Sequence, residues 1–482
     1  MGPKNESSRP RDFHVDVNPA LARSLRRQVA DSIRDGCRSG RLSAGTALPS
    51  TRALARQLGV SRGVITDAYQ QLAAEGYVEQ RERRAPVVCR TATARAAAPE
   101  PAQPYVVERS ATPWRHNLSP WAPDTSTFPR TLWAGAVRRA LQAMPDRALG
   151  YDDPRGPAVF RTAICSYLAR TRGCDTDPVT LVACSGFAQG LYLTCLALWQ
   201  RGATTIAVED PSHHEFLPTI RASGLEPLPI PVDSEGLRVD LLATTETQAV
   251  VVTPAHQFPT GVVMSPSRRQ ALVDWAQTRA AFILEDDYDA EYRYDRNPVG
   301  SLQGRLPHRV VYLGTTAKTL APAVRVGWLH TPRELLDDIL RVLWDCAGEP
   351  SPIAFWAFAD LLERGEIDRH LRRTRTLYRA RRQRLIDELK RTLPGIEVGG
   401  IAAGLHLTLA LPDDIDGTAV ARALAQRDVL IETLAQYAID PANALPGLVA
   451  GYSRLSELHA PIVVGILADA IARQHDRSDA HP

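Results

Sequence analysis

Short apolar runs alternate with amphipathic helical segments through the chain beyond residue 116, and this alternation limits the fold more than any other feature. The runs are TLVAC, TTIAVED, AVVVTP, AFILEDD and RVVYLGT. Such runs are typical of strands buried on both faces, and intervening helices make successive strands parallel. We therefore expect an α/β body with a mainly parallel sheet and helices on both faces. Near residue 400, GIEVGGIAAGLHLTLAL and DVLIETL predict a smaller α+β subdomain.

Chemically useful groups follow three of these strands, at the edge where ligands bind in such sheets. TLVAC leads into SGFAQG, a turn at Gly186 whose free backbone N–H groups suit a phosphate. AFILEDD ends in acids, and the two-residue alternation of a strand predicts that Asp286 lies deeper than Asp287. A buried carboxylate requires a cationic partner.

The third group is the lysine of VYLGTTAKTLAPAVRVGWLH. Of 57 lysines and arginines, only Lys4, Lys318 and Lys390 are lysines. A chain that otherwise uses arginine keeps a lysine where it needs an amine that can lose its proton and attack a carbonyl. The alternative is a surface lysine retained by chance.

A phosphate cradle, a carboxylate for a protonated ring nitrogen and an amine that can form an imine together describe a pyridoxal 5′-phosphate (PLP) site. The carboxylate keeps the pyridine nitrogen protonated, so the ring can act as an electron sink. Thr315 and Arg325 flank the lysine in sequence and could complete the phosphate shell. The order and strand-end placement of these groups predict the cofactor.

Residues 1–90 carry 16 Arg and Lys against 9 Asp and Glu, an excess of +7 in a chain of net charge +3. The remainder is mildly acidic, so only one end of the chain suits a polyanion. Apolar residues at helical spacing predict a first helix closed by Gly36 and Gly40. That apolar set is Leu21, Leu25, Val29 and Ile33.

Two further helices are predicted, STRALARQLG with Ser50 as N-cap and RGVITDAYQQLAAEG with Ser61 as N-cap and Gly76 as its stop. Helical spacing predicts that the core face of the third helix holds Val64, Ala68 and Leu72, and that the outward face holds Arg62, Gly63, Thr66 and Gln70. YVEQRERRAPVVC predicts the two strands of a wing. Short helices joined by a tight turn match helix-turn-helix geometry.

The stretch LPSTRALARQLGVSRGVITDAYQQLAAEGYV resembles the winged helix-turn-helix of the GntR family. The resemblance implies that Arg52 and Arg62 contact DNA, with Ser61, Gly63 and Thr66 nearby. Helix N-termini and arginines suit phosphate oxygens, and a guanidinium can also read guanine. The wing tip, usually glycine-rich in the family, is RERR here. A three-helix protein-interaction module is the alternative.

From about residue 116 onward the chain resembles the fold-type-I aminotransferases of the aspartate aminotransferase class, and with its head it resembles the MocR (GabR-type) regulators. The stretches that carry this are YDDPRG, SGFAQG, VEDP, TPAHQFPTG, EDDYDAEYRY and GTTAKTLAPAVRVGW. The resemblance implies that Lys318 is the Schiff-base lysine, that Asp286 pairs with the pyridine nitrogen and that Tyr288 hydrogen-bonds the phenolic oxygen. The phosphate partners it implies are Gly186, Phe187, Thr315, Arg325 and, across a dimer interface, Tyr151.

The sequence departs from the family pattern at three places. His213 of VEDPSHH stands where a tyrosine commonly stacks on the ring, and its charge could tune the cofactor. Phe258 replaces the asparagine of an NPTG motif, for which His256 or Gln257 is expected to substitute. In LVAGYS, Val449 replaces an arginine that binds a substrate carboxylate, and Arg454 is displaced downstream.

The expected segments are a disordered N-terminus (1–16), the DNA-binding head (17–89), a flexible linker (90–115), the large domain (116–345), the small C-terminal subdomain (346–475) and a tail (476–482). No secretory signal and no membrane-length apolar run is recognised. Seven cysteines are scattered without a CxxC pair, which favours neither zinc nor disulfides. We expect a cytoplasmic protein without metal or membrane contact.

The leading functional hypothesis is a PLP-binding transcription regulator. It reads paired half-sites of a DNA operator as a domain-swapped homodimer and senses PLP or an amino compound, with vitamin B6 or amino-acid metabolism as the controlled process. Loss of the carboxylate arginine points to PLP itself as the effector, and the expected residual chemistry is Schiff-base formation or half-transamination without full turnover. The alternatives are an active aminotransferase with a DNA-binding head and a DNA-binding protein whose body only dimerises. Steady-state turnover would favour the first alternative, and absence of the cofactor's absorbance the second.

Overall fold

The computed structural model describes residues 15, 17–18, 23–80, 84–89, 114–150, 152–294, 299–346, 348–412 and 414–478. The expected linker up to residue 113, nearly all of the expected N-terminal segment, Leu21 and Tyr151 lie outside these residues. So do the first three residues of the RERR tip. The chain divides into two compact units, residues 1–111 and 112–482.

The first unit is a winged helix-turn-helix, as predicted. Its helices are α1 (Leu25–Arg38), α2 (Thr51–Leu58) and α3 (Arg62–Ala74), and its wing pairs β1 (Val78–Glu79) with β2 (Val87–Val88) in antiparallel fashion. The helices enclose a core that includes Val29, Ile33, Leu54, Ile65 and Leu72.

Two details of the head differ from the prediction. Gly36 does not close α1 but lies inside it, where a Cβ would approach Leu42 Cδ1 to 2.9 Å, so the glycine permits close packing. On α3, Val64 is only half-buried whereas Ile65 and Tyr69 are fully buried. The core face of α3 is therefore rotated from the predicted one, because α1 and α2 pack on it together.

The second unit is built on a large sheet that contains all five predicted strands. The strands are β4 (Leu181–Cys184), β5 (Thr205–Asp210), β6 (Glu226–Asp233), β7 (Gly236–Leu237), β8 (Ala249–Val252), β9 (Phe282–Asp287), β10 (Val310–Thr315) and β11 (Gly327–His330). Their order is β4-β11-β10-β9-β8-β5-β6-β7, with β11 and β7 antiparallel to their neighbours and the rest parallel.

Helices cover both faces of this sheet. Alternate strand residues enter separate core clusters: Leu284 packs with α6 and α10, whereas Ile283 packs with α8 and α9. The helices of the large part are α4 (Arg130–Ala143), α5 (Ala158–Arg172), α6 (Phe187–Gln200), α7 (Phe216–Ala222), α8 (Val239–Leu242), α9 (Pro266–Arg279), α10 (Arg333–Asp345) and α11 (Pro352–Glu363). The sheet is therefore buried on both faces, as the uninterrupted apolar runs predict.

The smaller α+β part holds an antiparallel sheet in the order β12 (Glu397–Gly399), β13 (His406–Ala410), β16 (Leu448–Gly451), β15 (Glu432–Thr433). The short strand β14 (Val429–Leu430) pairs instead with β3 (His116–Asn117), which lies within the segment expected to open the large domain. Its helices are α12 (Glu366–Thr392), α13 (Gly417–Ala425) and α14 (Ala460–Ser478). None of the helices in the described part of the chain has both the length and the hydropathy needed to cross a membrane.

Candidate functional site

A cavity of about 170 Å³ opens where β4, β9 and β10 end. We call it the strand-end cavity. Parallel strands deliver their carboxyl ends to one edge of the sheet, so the segments after them meet there. Of the residues predicted from sequence, its lining includes Gly186, Phe187, His213, Asp286, Tyr288, Thr315, Lys318 and Arg325.

The two acids at the end of β9 face opposite sides of the sheet. Asp286 lines the strand-end cavity, whereas Asp287 accepts a hydrogen bond from Arg172 Nε of α5 at 2.5 Å and another from the Tyr312 hydroxyl. Their exposed fractions are 5% and 6%, so the prediction that Asp286 lies deeper is wrong. The alternation of side chains along β9 correctly places the two acids on opposite faces of the sheet. However, α5 covers the face that holds Asp287, so both acids are equally buried.

Asp286 is a buried acid with an unsatisfied carboxylate oxygen. Its Oδ1 makes no hydrogen bond to any described residue. Burial raises the pKa of Asp286 well above its usual range, and the charge of Asp287 adds to this. A cationic N–H placed in the cavity would satisfy the carboxylate and reverse that shift.

The Lys318 side chain lies in the same cavity. Its Nζ donates a hydrogen bond to the Trp121 carbonyl oxygen at 2.5 Å. Burial lowers the pKa of the Lys318 amine, while Asp286 and Asp289 oppose this shift. A lowered pKa increases the fraction of the unprotonated, nucleophilic amine.

The strand-end cavity also contains an anion cradle. Gly186, at φ +107°, precedes the 14-residue helix α6, whose first backbone N–H groups have no partner inside the helix. A Cβ at Gly327 would lie 2.5 Å from Gly186 Cα, so the start of β11 approaches the turn before α6 more closely than any larger residue permits. Arg325 lines the cradle with φ +54°, a conformation uncommon outside glycine.

His213 lines the cavity as part of an aromatic cluster. Its ring stacks on Phe216 at 5.3 Å between centroids and 13° between planes, and lies 5.0 Å from Phe258. Burial, with the nearby charge of Lys318, lowers the pKa of His213 to about 3. The ring is therefore neutral near pH 7, and the expectation that its charge tunes a cofactor is not supported.

Neither expected substitute for the missing asparagine lines the cavity. The Gln257 amide donates to the Pro211 and Phe258 carbonyl oxygens, and its Oε1 accepts from Thr260. His256 reaches the site only indirectly, because the Tyr288 hydroxyl donates to its carbonyl oxygen at 3.0 Å.

A second layer fixes His256 behind Tyr288. His256 Nδ1 lies 2.9 Å from Asp289 Oδ2, and both side chains are 2% exposed. Sequence analysis did not single out Asp289, nor the cavity-lining Trp121, Glu215 and Phe216. Asp289 directly follows the EDDY stretch (residues 285–288) in sequence, and this proximity was the one feature that could have identified it as a site residue.

The Val449 segment is apolar in the structure. Val449 is fully buried and packs with Phe258, Leu434 and Tyr437, beside the half-buried Tyr288. Arg454 is exposed and does not line the strand-end cavity. The LVAGYS segment therefore brings no arginine to the cavity.

The residues predicted to contact DNA cluster at the N-terminus of α3. Ser61, Arg62 and Gly63 are exposed, as is Arg52 on α2, whereas Thr66 is half-buried and donates to the Arg62 carbonyl oxygen. Ser50 caps α2 by accepting from Ala53 N at 3.2 Å. Ser61 occupies the N-cap position of α3 without making a capping hydrogen bond, so its hydroxyl is available to a ligand.

Nothing in the described ranges groups three or more His, Cys, Asp or Glu side chains in a way that could hold a metal ion.

Comparison with known proteins agrees with both units. The family described as aminotransferase class I and II matches residues 124–449, and the family described as bacterial regulatory proteins, gntR family, matches residues 25–88. The HTH-type pyridoxine biosynthesis transcriptional regulator PdxR of Corynebacterium glutamicum is 32% identical over 464 residues, covering 96% of this chain and 99% of the relative. The probable rhizopine catabolism regulatory protein MocR of Rhizobium meliloti is 31% identical, covering 81% and 83%.

Among solved structures, an archaeal alanine:glyoxylate aminotransferase superposes with a TM-score of 0.68 at 24% identity, covering 74% of this chain and 91% of that one. At this identity the likeness concerns the fold, which is that of the PLP-dependent aminotransferases. The chain belongs to the MocR-type family of HTH-type transcriptional regulators, in which a GntR head is joined to an aminotransferase class I and II body.

Proposed function

We propose that this regulator binds PLP in the strand-end cavity and that the loaded cavity sets the affinity of the head for DNA. The observation that carries the proposal is the unpartnered, buried Oδ1 of Asp286 in the same cavity as the Lys318 amine. An uncompensated buried acid is destabilising unless a ligand supplies the missing donor. The pyridine N–H of PLP is such a donor.

The described residues fit the whole cofactor. Lys318 Nζ would hold the aldehyde carbon covalently, and Asp286 would hold the ring nitrogen. The cradle of Gly186, the α6 N-terminus and Arg325 suits the phosphate. When bound, PLP supplies an electrophilic carbon and an electron-withdrawing ring.

The protein's own groups then have separate tasks. Asp286 keeps the ring nitrogen protonated, and the neutral His213 ring packs against the cofactor without changing its charge. Tyr288 lines the cavity, and its hydroxyl, which donates to the His256 carbonyl oxygen in the structure, would donate to the phenolic oxygen of PLP instead. His256 and Asp289 position Tyr288 from behind.

The apolar Val449 segment favours sensing over turnover. An α-amino acid substrate needs a cation for its carboxylate, and this segment presents none to the cavity. We therefore propose PLP itself, or an amino compound without that carboxylate requirement, as the effector. The PdxR relative is named as a regulator of pyridoxine biosynthesis, which supports vitamin B6 supply as the controlled process.

DNA recognition is proposed to use Arg52, Ser61, Arg62, Gly63 and Thr66 of the head. A homodimer with crossed heads is part of the proposal, with Tyr151 of one copy serving the phosphate site of the other. Two heads would read paired half-sites, and a cofactor-dependent change in the bodies would alter their spacing.

Lys318→Ala tests the proposal directly. The wild type, incubated with PLP, should show a visible absorbance band that borohydride makes permanent, and the variant should not. A footprint on the DNA upstream of the protein's own gene should change on addition of PLP for the wild type and not for Lys318→Ala. Lys390→Ala is the matched control, because Lys390 is an exposed lysine of α12 outside the cavity. A wild type that stays colourless would refute cofactor binding.

An active aminotransferase is the second candidate, because the cavity keeps both the amine and the acid that aminotransfer uses. Sustained turnover with an amino donor and a keto-acid acceptor would favour it. A single half-reaction that stops after one equivalent would favour the regulator.

A further inference from the structure

A second cavity, of about 430 Å³, lies between the end of α5, the segment 290–293 after β9 and the first turns of α12. We call it the arginine cavity. Among the described residues that line it, five are arginines and two are acids. These are Arg170, Arg172, Arg293, Arg372 and Arg375 against Glu291 and Asp368.

Arg172 forms the buried wall of this cavity. Its side chain is 6% exposed; Nε donates to Asp287 Oδ2 at 2.5 Å and Nη1 to the Val299 carbonyl oxygen at 2.7 Å. Its Nη2 has no acceptor among the described residues. A buried guanidinium N–H without an acceptor carries a desolvation penalty that an anion would remove.

Three of the other arginines differ in how far their charge is neutralised. Arg375 donates from Nε and Nη2 to the Glu291 carbonyl oxygen at 2.9 and 2.6 Å, a neutral acceptor. Arg170 Nη2 lies 3.0 Å from Asp368 Oδ2 at the rim, and the exposed Arg372 has no ion pair within the described ranges. Burial raises the pKa of the Glu291 carboxyl, so it neutralises less of the arginine charge than its formal charge suggests.

We propose that the arginine cavity is a second ligand site, which binds a small molecule through a phosphate or carboxylate group. Guanidinium groups match both oxyanions with paired N–H donors. A small ligand fits better than a nucleic-acid backbone, because Arg172 lies buried in a concavity while duplex phosphates lie on a convex surface.

The site is linked to the strand-end cavity through β9. Arg172 pairs with Asp287, whose charge contributes to the raised pKa of its neighbour Asp286 on the other face of the strand. An anion that competes for Arg172 leaves Asp287 less neutralised, so Asp286 holds its proton more tightly. This coupling, unlike the site itself, rests on the proposed PLP function.

The experiment titrates inorganic phosphate, and separately succinate, into the full-length protein by isothermal titration calorimetry at constant ionic strength. PLP is loaded and fixed with borohydride first, so that its phosphate group fills the cradle. At least one anion should bind saturably, once per chain, and the tighter one identifies the ligand group. Arg372→Gln should weaken binding about tenfold, the effect of one charge-assisted hydrogen bond. Arg373→Gln, an exposed neighbour on α12 outside the cavity, should change nothing.

Absence of saturable binding by both anions, or an equal loss in the two variants, would overturn the site. The site would also be overturned if a DNA duplex without an operator displaced the anion and Arg372→Gln abolished binding of that duplex. That result would assign the surface to a nucleic-acid backbone.

If the protein takes up no PLP, the titration is repeated on Arg325→Gln, whose cradle is weakened. The arginine cavity is then tested independently of the proposed PLP function. In the unreduced, loaded protein the anion should shift the cofactor's absorbance for the wild type and not for Arg372→Gln; no shift despite binding would overturn the coupling.

Discussion

The strand-end cavity and the N-terminus of α3 each combine a helix N-terminus with an exposed arginine, Arg325 and Arg62, but only the cavity adds buried groups to them. In the cavity, Gly186 and Asp286 are buried and the pKa of Asp286 is strongly shifted. On the head, Ser61 and Arg62 are exposed to water. Burial makes the interaction of Asp286 strong and dependent on its partner, whereas water and salt weaken each interaction of the head. A single change should therefore abolish function in the cavity and only reduce it on the head.

Asp286→Asn should produce the largest effect. Asparagine keeps the size of the side chain but removes the negative charge that a pyridinium N–H requires. Breaking a buried ion pair costs about 3–5 kcal/mol, so PLP affinity should fall by at least about a hundredfold. Equilibrium titration of the cofactor's absorbance measures this. Asp274→Asn, an exposed carboxylate on α9, is the control and should bind PLP as the wild type does.

The same variant should be more stable than the wild type without cofactor. The pKa of Asp286 is raised in the folded state, so the protonated acid stabilises the fold at low pH. That contribution is complete below the unfolded pKa of about 3.9 and is lost as pH rises through the folded value. Urea unfolding across pH should show this loss in the cofactor-free wild type and not in Asp286→Asn. Equal pH profiles would mean that the acid already has a partner.

Gly327→Ala tests whether the cradle depends on close packing. The added Cβ would lie 2.5 Å from Gly186 Cα and 2.8 Å from Gly186 N, and neither backbone atom can rotate away. Overpacking of this kind destabilises by about 1–3 kcal/mol, and displacement of the turn should also weaken PLP binding. Urea unfolding and PLP titration measure the two effects.

Gly465→Ala is the matched control, because a Cβ at Gly465 in α14 meets nothing within 4 Å. Replacement of a helical glycine by alanine should stabilise by about 0.5–1 kcal/mol. A Gly327→Ala protein as stable as this control would show that β11 and the turn before α6 can separate without cost.

Much of this architecture could be predicted from local pattern. The five apolar runs are strands because each is buried on both faces, and Lys318 and Asp286 share a cavity because parallel strands end at one edge. The helices of the head were predictable from spacing and caps. Ser50, for example, accepts the capping hydrogen bond that its position indicated.

What could not be predicted depends on contacts between distant segments. The depth of Asp287 depends on Arg172, 115 positions away, and the neutrality of His213 on burial against Phe216 and Phe258. Gln257 is unavailable because its amide is used within its own loop and by the Pro211 carbonyl. The arginine cavity is lined by three separate segments, near residues 170, 290 and 370, so no local sequence pattern predicts it.

Ser50→Ala and Ser61→Ala should give the smallest effects and separate stability from DNA binding within the head. Ser50 accepts from Ala53 N, so its loss should destabilise α2 by about 1 kcal/mol, seen as faster hydrogen exchange of the α2 amides in the full chain. DNA affinity of the folded protein should not change. Ser61 makes no capping hydrogen bond, so its loss should leave exchange almost unaltered.

Ser61→Ala should instead weaken operator binding by about 0.5–1.5 kcal/mol, the value of one hydrogen bond to a phosphate. Because each serine stands at the N-terminus of a head helix, each variant is the control for the other. If both substitutions changed exchange and neither changed DNA affinity, the N-terminus of α3 would be a structural feature and not part of the DNA-contacting surface. If each changed only its own observable, DNA binding by the head would depend on exposed groups that its fold does not use. In the strand-end cavity, by contrast, the buried acid proposed to hold the ligand lowers the stability of the cofactor-free fold.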